Sequence, residues 1–349
     1  MIKIDGSQKE GGGQILRYSC ALSAILSQPI EVFNIRAKRS NPGLRAQHIT
    51  AVKLIGEMVD AQITGLSVGS MKIQFIPRSK PKGKSYFLDV GTAGSTALVL
   101  QAALPVATFA DNNVKLRLIG GTSVRWAPPM LYFKEVLLPL LEKFGVKAEI
   151  NIEREGYYPK GGGIIEALIS PSDRLSAISL DEYSEVIAIR GVSYCTNLPA
   201  HVAERQARSA EEILKSSGFE NVEIIVDPRR RGVGTGSGIV LWAVTDQGIV
   251  GGDALGEKGK RAEVVGREAA EKLIKALKTK SPIDEHALDN LIIYMALADG
   301  ESRVVAPELT LHADTAIDLC KMIVGAEFKV IKRPQNVEVV CKGIGFSRD

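Results

Sequence analysis

The residue in this sequence best placed for covalent chemistry is His312, in the stretch LTLHADTAIDLCKMIV at 309–324. An alternating apolar run ends at this histidine and a helical pattern begins at once, which predicts a strand that passes directly into a helix. The positive end of a helix disfavours the imidazolium form and stabilises an anionic phosphoryl group. His312 could therefore be a nucleophile that attacks phosphate, with Asp314 and Thr315 as cap or orienting groups. A spacer or a packed core residue explains the spacing equally well.

A second candidate is the glycine-rich stretch DGSQKEGGGQILR at 5–17, where three consecutive glycines precede a helical pattern. Glycine lets the backbone approach a ligand closely, and the free N–H groups at a helix start favour phosphate. Glu10 would repel such a phosphate unless a cation intervenes, and magnesium held by one carboxylate plus substrate phosphates would remove that conflict. Arg17 could reach the same phosphates. A tight turn, a helix-dipole acid and a surface arginine are the simpler explanations.

Basic residues cluster locally, although the formal net charge is only +4. RAKRSNPGLR at 36–45 and PRSKPKGK at 77–84 each hold four basic residues and no acid, and Arg229 to Arg231 form a triplet. Each run alone is typical of a solvated loop, but several in one chain indicate a polyanionic partner. Structural or solvated positions explain the other three histidines: His48, His201 and His286.

Composition sets the class of protein that must position these residues. The 349 residues are 45% hydrophobic and 24% charged, which is typical of a globular protein. We expect no membrane span and no signal peptide, because no apolar run is long enough and the N-terminus lacks an apolar core segment. Four widely scattered cysteines argue against a zinc site and a disulfide framework and favour a reducing cytoplasm.

The plan strand, helix, strand, helix, strand, strand recurs three times along the sequence. Its second half, a helix with two strands, begins at Leu44, Met130 and His312, at intervals of 86 and 182 residues. Its first half, a strand ending in Asp before a glycine-rich turn and a helix, begins the chain and recurs with Asp89 in place of Asp5. The second interval is about twice the first, so either a fourth unit or an insertion lies within it.

The stretch from 184 to 277 differs from these repeats and predicts an inserted α/β domain. Its patterns indicate a strand at 185–195, a helix at 200–217, a strand at 221–228, paired strands within 238–256 and a helix at 261–277. The sequence therefore divides into 1–183 with the first two repeats, 184–277 as the insert and 278–349 as the third repeat.

Long motifs in this chain resemble, in order, those of the RNA 3′-terminal phosphate cyclases. They are DGSQKEGGGQILR, NPGLRAQH, DVGTAGSTALVLQ, EGYYPKGGG, GSGIVLWA followed by GGDALGEKGKRAEVVG, and LHADTAIDL. The resemblance extends over almost the whole chain. It implies an α/β (α+β) fold of three βαβαββ repeats, as in enolpyruvyl transferases, with one smaller thioredoxin-like α/β domain inserted.

The resemblance also implies a reaction. His312 would take AMP from ATP, AMP would pass to the terminal 3′-phosphate of an RNA, and the neighbouring 2′-hydroxyl would expel it to close a 2′,3′-cyclic phosphate. ATP, Mg²⁺ or Mn²⁺ and an RNA with a 3′-terminal phosphate would be the cofactors and partners. A membrane partner is not expected, and a homo-oligomer is left open.

Family site residues carry over to matching positions of this sequence. The implied nucleotide contacts are Glu10, Arg17, Gln101, His286, Asp289 and Asn290, and Glu10 is also the implied metal ligand. The implied contacts of the RNA 3′-phosphate are Arg36, Arg39, Gln47 and His48. Asn290 replaces a more familiar glutamine, and His286 stands where a stacking aromatic is expected.

Two alternatives belong to other classes. One is a non-cyclising relative of the same fold that binds or cuts pre-ribosomal RNA in ribosome biogenesis, and the retained His312 argues against it. The other is an enolpyruvyl transferase, which shares the repeated unit. The single insert, the arginines of the proposed RNA-end site and the His312 segment argue against that activity.

Overall fold

The computed structural model describes residues 1–348. The chain folds into three copies of a βαβαββ unit, and a small α/β segment is inserted into the third copy. The three repeats and the inserted segment predicted from the sequence are therefore confirmed.

The first unit begins with a parallel strand pair in which Ile4 lies opposite Val32. Its elements are β1 (Ile2–Asp5), α1 (Gly13–Leu26), β2 (Ile30–Phe33), α2 (Ala46–Met58), β3 (Gln62–Thr64) and β4 (Ile73–Ile76). The strand order is β1-β2-β4-β3, and the last two strands run antiparallel to their neighbours.

The second unit repeats this arrangement with longer strands. Its elements are β5 (Ser85–Asp89), α3 (Thr96–Thr108), β6 (Val114–Gly120), α4 (Met130–Tyr132) continuing through a π-helical turn (Phe133–Leu137) into α5 (Leu138–Glu142), β7 (Lys147–Arg154) and β8 (Gly163–Ser170). The strand order is β5-β6-β8-β7.

The insert follows the first strand of the third unit, β9 (Ser179–Leu180). Its elements are β10 (Ala188–Thr196), α6 (His201–Ser216), β11 (Val222–Asp227), β12 (Gly236–Val244), β13 (Ile249–Leu255) and α7 (Ala262–Lys278). They form a sheet of order β11-β10-β12-β13, with α6 and α7 packed on it through Leu214, Leu241 and Leu273.

The third unit resumes after the insert with α8 (Glu285–Leu297), β14 (Glu301–Ala306), α9 (Leu311–Leu319) with a π-helical turn (Cys320–Val324), β15 (Glu327–Lys332) and β16 (Val337–Lys342). The strand order is β15-β16-β14-β9, which matches the other two units when read from the first strand of each. The insert thus interrupts the third repeat. The domain boundaries at 183 and 277 remain a prediction, although Ser179–Leu180 is hydrogen-bonded into the third sheet.

The first helices of the three units pack together in the interior. Helices α1 and α8 are buried on nearly all sides, because other parts of the protein enclose them. The Tyr18 hydroxyl of α1 donates to the backbone oxygen of Asp289 in α8 over 2.9 Å, and α9 contacts both helices. This packing brings the N-termini of α1 and α9 to one surface of the molecule.

No helix within residues 1–348 is long and apolar enough to cross a lipid bilayer. The four cysteines are buried and free: Cys20, Cys195, Cys320 and Cys341.

Candidate active site

An open cleft of about 680 Å³ lies where the N-termini of α1 and α9 converge. Its lining is Glu10, Lys38, Arg39, Glu308, Leu309, Thr310, Leu311 and His312. The free N–H groups and partial positive charge of two helix starts favour an anion in such a cleft. The sequence predicted three of the lining residues as site residues: Glu10, Arg39 and His312.

His312 is exposed in the first turn of α9. Its ring Nδ1 lies 2.8 Å from the side-chain oxygen of Gln14, in the first turn of α1. An amide oxygen can only accept a hydrogen bond, so Nδ1 must carry the proton. In the neutral ring, the lone pair then lies on Nε2. The contact fixes the tautomer that a nucleophilic Nε2 requires.

The predicted strand ending at His312 is wrong. Strand β14 ends at Ala306, before Pro307, and the helix begins at Leu311. Proline has no N–H to continue a ladder, so the alternating apolar residues that follow it are loop and helix start. The cap is Thr310, whose hydroxyl oxygen accepts from the backbone N–H of Ala313 over 3.0 Å. Asp314 and Thr315 are therefore not the cap.

The two residues predicted as cap or orienting groups tie the two helix starts together instead. Thr315 contacts the backbone N–H of Glu10 through its hydroxyl oxygen at 3.4 Å. Lys9 forms ion pairs of 2.8 Å with Asp314 and 2.6 Å with Asp318. The glycine turn is thereby fixed against α9, on the side of the helix that presents His312.

The glycine turn has space for backbone only. A Cβ at Gly12 would overlap the Glu10 carboxylate, and one at Gly13 would overlap Nε2 of His48 and approach Arg17. Gly11 has φ +60, which glycine adopts without strain. The Glu10 carboxylate and the His48 ring therefore pack directly against the start of α1, in space that only glycine leaves open.

His48 is buried beneath this turn. Its Nδ1 accepts from the backbone N–H of Arg45 over 3.1 Å, so Nε2 carries the proton in the neutral ring and faces Gly13. Burial and the nearby charges of Arg17, Arg36 and Arg45 lower the pKa of His48 to about 3. His48 is thus a neutral N–H donor, and the sequence did not indicate its burial.

Glu10 has two partners in the cleft. Its carboxylate accepts from the backbone N–H of Gly12 over 2.7 Å and forms an ion pair with Arg39. Arg39 also donates to the backbone oxygen of Glu10 over 3.0 Å. The cation that the sequence argument required beside Glu10 is therefore an arginine in this structure.

Glu10 stands alone as a metal ligand. Within residues 1–348, no three His, Cys, Asp or Glu side chains converge as a metal site. A magnesium ion fits one carboxylate together with phosphate oxygens of a substrate, which is how magnesium commonly binds nucleotides. A metal held by protein side chains alone does not fit.

Arg17 begins a chain of polar contacts into the interior. It donates to Gln101 over 3.1 Å, Gln101 donates to Asn290 over 2.5 Å, and Asn290 donates to the backbone oxygen of His286 over 2.7 Å. Burial lowers the pKa of Arg17 to about 10, and its Nε has no hydrogen-bond partner among the described residues. Four predicted nucleotide contacts thus form one connected row.

Asp289 and His286 lie at the start of α8, beside this row. Asp289 is buried and accepts from the Thr310 hydroxyl, which links it to the cap of α9. His286 is exposed over 59% of its side chain, and Asp289 raises the pKa of His286 to about 9. The ring is therefore cationic at neutral pH and open to a ligand.

The four predicted contacts of the RNA 3′-phosphate divide into two groups. Arg39 and His48 lie at the glycine turn, whereas Arg36 and Gln47 contact neighbouring segments. Arg36 donates to the backbone oxygens of Asn41 over 2.6 Å and of Gly43 over 2.9 Å, so it also braces its own loop. Burial and the charges of Arg45 and Arg39 lower the pKa of Arg36. Gln47 faces another helix, where its side-chain oxygen accepts from the N–H of Ser95, the cap of α3, over 2.9 Å.

Sequence reasoning missed four residues that complete the site. Gln14 orients His312, Arg45 adds a third arginine charge around His48, and Lys38 and Glu308 line the cleft. Gln14 lies within the glycine-rich stretch but contacts a residue 298 positions away, and no local pattern reports such a contact. The basic run at 36–45 was the signal for Lys38 and Arg45.

Comparison with known proteins gives consistent results. The family described as RNA 3′-terminal phosphate cyclase matches residues 8–330. A protein of that name from Ignicoccus hospitalis is 51% identical over 325 residues, 92% of each chain. Those from Hyperthermus butylicus and Pyrobaculum aerophilum are 48% and 44% identical over 99% of each chain. Among solved structures, the enolpyruvyl transferase NikO from Streptomyces tendae has a TM-score of 0.42 at 10% identity, over 99% of this chain and 48% of that chain.

Proposed function

This chain belongs to the RNA 3′-terminal phosphate cyclase family, and from that premise we propose that it uses ATP to convert an RNA 3′-terminal phosphate into a 2′,3′-cyclic phosphate. AMP is carried first on His312 and then on the RNA end. The observation that supports this most directly is the contact of His312 Nδ1 with Gln14, which leaves Nε2 as the nucleophile in an open cleft between two helix starts.

In the first step, Nε2 of His312 attacks the α-phosphorus of ATP. The N–P bond forms while the P–O bond to pyrophosphate breaks, and the ring becomes cationic because Nδ1 keeps its proton. The Gln14 oxygen accepts a hydrogen bond from that proton throughout, so it stabilises the charge that develops on the ring.

The increasing negative charge on the phosphates is met by groups already in place. The N–H groups at the start of α1, the N–H of His48 and the Arg17 guanidinium converge on Gly13. These donors are fixed by the fold before the substrate arrives, and preorganised donors of this kind stabilise a transition state efficiently. A magnesium ion at Glu10, when bound, would neutralise further phosphate charge.

The nucleoside of ATP lies along the row that begins at Arg17. Gln101, Asp289 and Asn290 supply hydrogen-bonding groups beside it. His286 is cationic and exposed, and it stacks on the base by a cation–π contact. The shorter Asn290 keeps its contact with Gln101.

In the second step, a terminal phosphate oxygen of the RNA attacks the phosphorus of AMP, the N–P bond breaks and His312 becomes neutral again. Arg36, Arg39, Gln47 and His48 lie on the side of α1 from which that phosphate approaches. Arg39 leaves Glu10 to bind the incoming phosphate. In the last step the 2′-hydroxyl oxygen attacks the activated phosphorus, the P–O bond to AMP breaks and the hydroxyl proton passes to solvent. The fixed proximity of the hydroxyl aids this attack.

A non-cyclising RNA-binding relative has less support from the site. A binding protein needs no exposed histidine whose neutral ring is held in one tautomer, and here Gln14 selects one for His312. We also place the protein in the cytoplasm, because its four buried cysteines are free thiols.

The proposal is tested with a 3′-phosphorylated RNA, ATP and magnesium. We expect the terminal phosphate to become resistant to phosphatase, since the cyclic ester leaves no free monoester. An oligonucleotide identical except for a 2′-deoxy terminal sugar should stay sensitive, because it lacks the attacking hydroxyl. If the RNA phosphate also stays sensitive in the presence of ATP, the chain is not a cyclase.

A further inference from the structure

Two aromatic side chains lie almost fully in solvent near the boundary between the second repeat and the insert. Trp126 is 93% exposed and Tyr158 is 81% exposed. The loops that carry them also carry Lys160, and the loop before β12 carries Arg229 and Arg231, all three exposed. We call Trp126, Tyr158, Lys160, Arg229 and Arg231 the aromatic–basic surface.

Backbone hydrogen bonds join the loops of the aromatic–basic surface to one another. The backbone N–H of Thr122 donates to Gly156 over 2.9 Å, which links the Trp126 loop to the Tyr158 loop. The N–H of Glu155 donates to the backbone oxygen of Arg231 over 2.7 Å, which links the Tyr158 loop to the insert. Exposed rings on such braced loops lose little freedom when a flat ligand stacks on them.

The charge of this surface is positive, because its acids are already neutralised. Glu155 and Asp227 both form ion pairs with Arg230, the inward-facing member of the arginine triplet. Glu257 forms an ion pair with Arg125. Among residues 1–348, the ammonium of Lys160 and the guanidinium groups of Arg229 and Arg231 form no ion pair. An anionic partner is thus favoured.

The aromatic–basic surface continues into the proposed RNA-end site. The backbone of Gly161 lies directly against Thr92 and Ala93, with no room for a Cβ. Two residues further, the N–H of Ser95 donates to Gln47, one of the proposed contacts of the RNA 3′-phosphate. The Tyr158 loop therefore packs against the loop that contacts Gln47, and the exposed Thr92 lies between the two sites.

We propose that the aromatic–basic surface binds the single-stranded nucleotides that precede the terminal phosphate of the RNA substrate. Tyr158 and Trp126 stack on unpaired bases, and Lys160, Arg229 and Arg231 pair with the phosphates between them. This inference rests on the proposed function for the identity of the ligand. Bases in a duplex are already stacked on each other, so a duplex end lacks the faces that these rings require.

The test measures KM for cyclisation of 3′-phosphorylated RNAs from about two to about ten nucleotides, the range of a single-strand site. For the unmodified protein we expect KM to fall with length and then level off. Tyr158→Ala and Arg231→Ala should each raise KM for the longest RNA about tenfold, the loss expected for one stacked base or a similar contact. Both should leave the dinucleotide unaffected, and Tyr158→Phe should behave as the unmodified protein.

Matched controls come from the far end of the insert. Tyr183 is also exposed, and its neighbour Ser184 contacts Gln247 in the turn after β12, at the opposite end of that strand from Arg231. Lys278 ends α7 close to the same turn, where Gly248 packs on Pro282. Tyr183→Ala and Lys278→Ala should leave the length dependence of KM unchanged.

A binding measurement separates this inference from the proposed function. The chain has two tryptophans, so Trp242→Phe leaves Trp126 as the single tryptophan, which long-wavelength light excites selectively over the eight tyrosines. We expect single-stranded RNA to quench its fluorescence, more weakly as salt is raised, and duplex RNA to quench far less. Quenching without any cyclisation would refute the proposed cyclase activity but support RNA binding by the aromatic–basic surface. Cyclisation with a KM that does not depend on RNA length would refute RNA binding by the aromatic–basic surface but support the cyclase activity. An equal KM for Tyr158→Ala and Tyr183→Ala on the longest RNA would lead to the same conclusion.

Discussion

The chemistry at His312 depends on which ring nitrogen carries the proton, and a single contact decides it. The Gln14 oxygen at 2.8 Å can only accept, so the proton lies on Nδ1 and the lone pair of the neutral ring lies on Nε2. Gln14 touches no reacting atom in the proposed reaction. It acts through His312, as a positioning residue.

We expect Gln14→Ala to slow transfer of AMP to His312 by about 10- to 100-fold, the loss typical when a group that orients a histidine is removed. Gln14→Glu keeps an acceptor at the same place and should retain most of the rate. The measurement is the rate of label uptake from α-labelled ATP at saturating nucleotide. Equal rates for Gln14→Ala and the unmodified protein would show that the contact is not used.

His48 makes stability depend on pH. In the unfolded chain its pKa is that of an ordinary histidine, 6.5, whereas the pKa in the folded protein is about 3. Between these values the unfolded state binds one more proton, so stability is full above pH 6.5 and is lost as pH falls towards 3.

For the unmodified protein, His48 should contribute a loss of about 1.4 kcal/mol in the free energy of unfolding per pH unit within that window. His48→Asn removes the titrating group and should make the curve shallower by that amount. Urea unfolding at a series of pH values measures both curves, and their constant difference above pH 6.5 provides the reference. Parallel curves below that pH would contradict a buried, neutral His48.

At the scale of elements, the site consists of two helix starts that belong to different repeats. Helix α1 begins at Gly12 and Gly13, where the missing Cβ atoms leave room for Glu10 and His48, whereas α9 presents His312 one residue into the helix. Lys9 locks them together through Asp314 and Asp318. The phosphate site and the nucleophile are therefore held at a fixed distance by the packing of α1 on α9.

Gly13→Ala tests the glycine start of α1. The added methyl group would overlap Nε2 of His48, and overpacking of this kind costs about 1–3 kcal/mol. It would also cover the N–H groups proposed to bind phosphate, so we expect label uptake to fall more than stability alone explains. Gly234→Ala is the matched control, because its Cβ would meet no atom closer than 3.7 Å. Full label uptake by folded Gly13→Ala would rule out a phosphate site at this turn.

Elements were predictable from the sequence where their patterns are local and repeated. The βαβαββ plan could be predicted because each unit repeats the same helix faces and strand pairs, as in the helices that begin near Leu44 and Met130. The start of α9 could not, since apolar residues still alternate after Pro307 although the strand has ended there. Nor could the assignment of β9 to the third repeat, because this strand has two residues and leaves almost no pattern.

At the scale of the whole molecule, the insert is fixed to the large sheets by a buried ion pair. Glu155 follows β7 and is 1% exposed, and Arg230 of the insert contacts it over 3.1 Å. Arg230 also covers the ring of Tyr194, and the hydroxyls of Thr122 and Ser123 donate to the same carboxylate. The arginine triplet thus has a structural member between two exposed ones, which charge counting alone does not reveal.

Arg230→Met should destabilise the protein by about 3–5 kcal/mol, because it leaves the Glu155 carboxylate buried without its cation. Adding Glu155→Gln should recover most of the lost stability, since the buried negative charge of Glu155 is then removed as well. Arg190→Met is the matched control in the same domain, because its ion pair with Glu223 is exposed and is worth about 1 kcal/mol or less. The midpoints of urea unfolding measure these differences. Equal midpoints for the Arg230 and Arg190 variants would contradict a buried fixing point.

The site as a whole was only partly predictable. His312, Glu10 and Arg39 could be chosen from residue type, helix starts and the family resemblance, and they do line one cleft. Gln14 and the neutral state of His48 could not, because each depends on contacts between different elements and on burial. Those two properties come from tertiary packing.

The most direct test of the account is the covalent bond on His312. After incubation with α-labelled ATP and magnesium, mass spectrometry of the digested protein should find AMP on the peptide that contains His312, in an acid-labile linkage typical of a phosphoramidate. His312→Ala should bind the nucleotide but take up no label. Normal labelling of His312→Ala, or AMP on any other residue, would contradict the proposed mechanism.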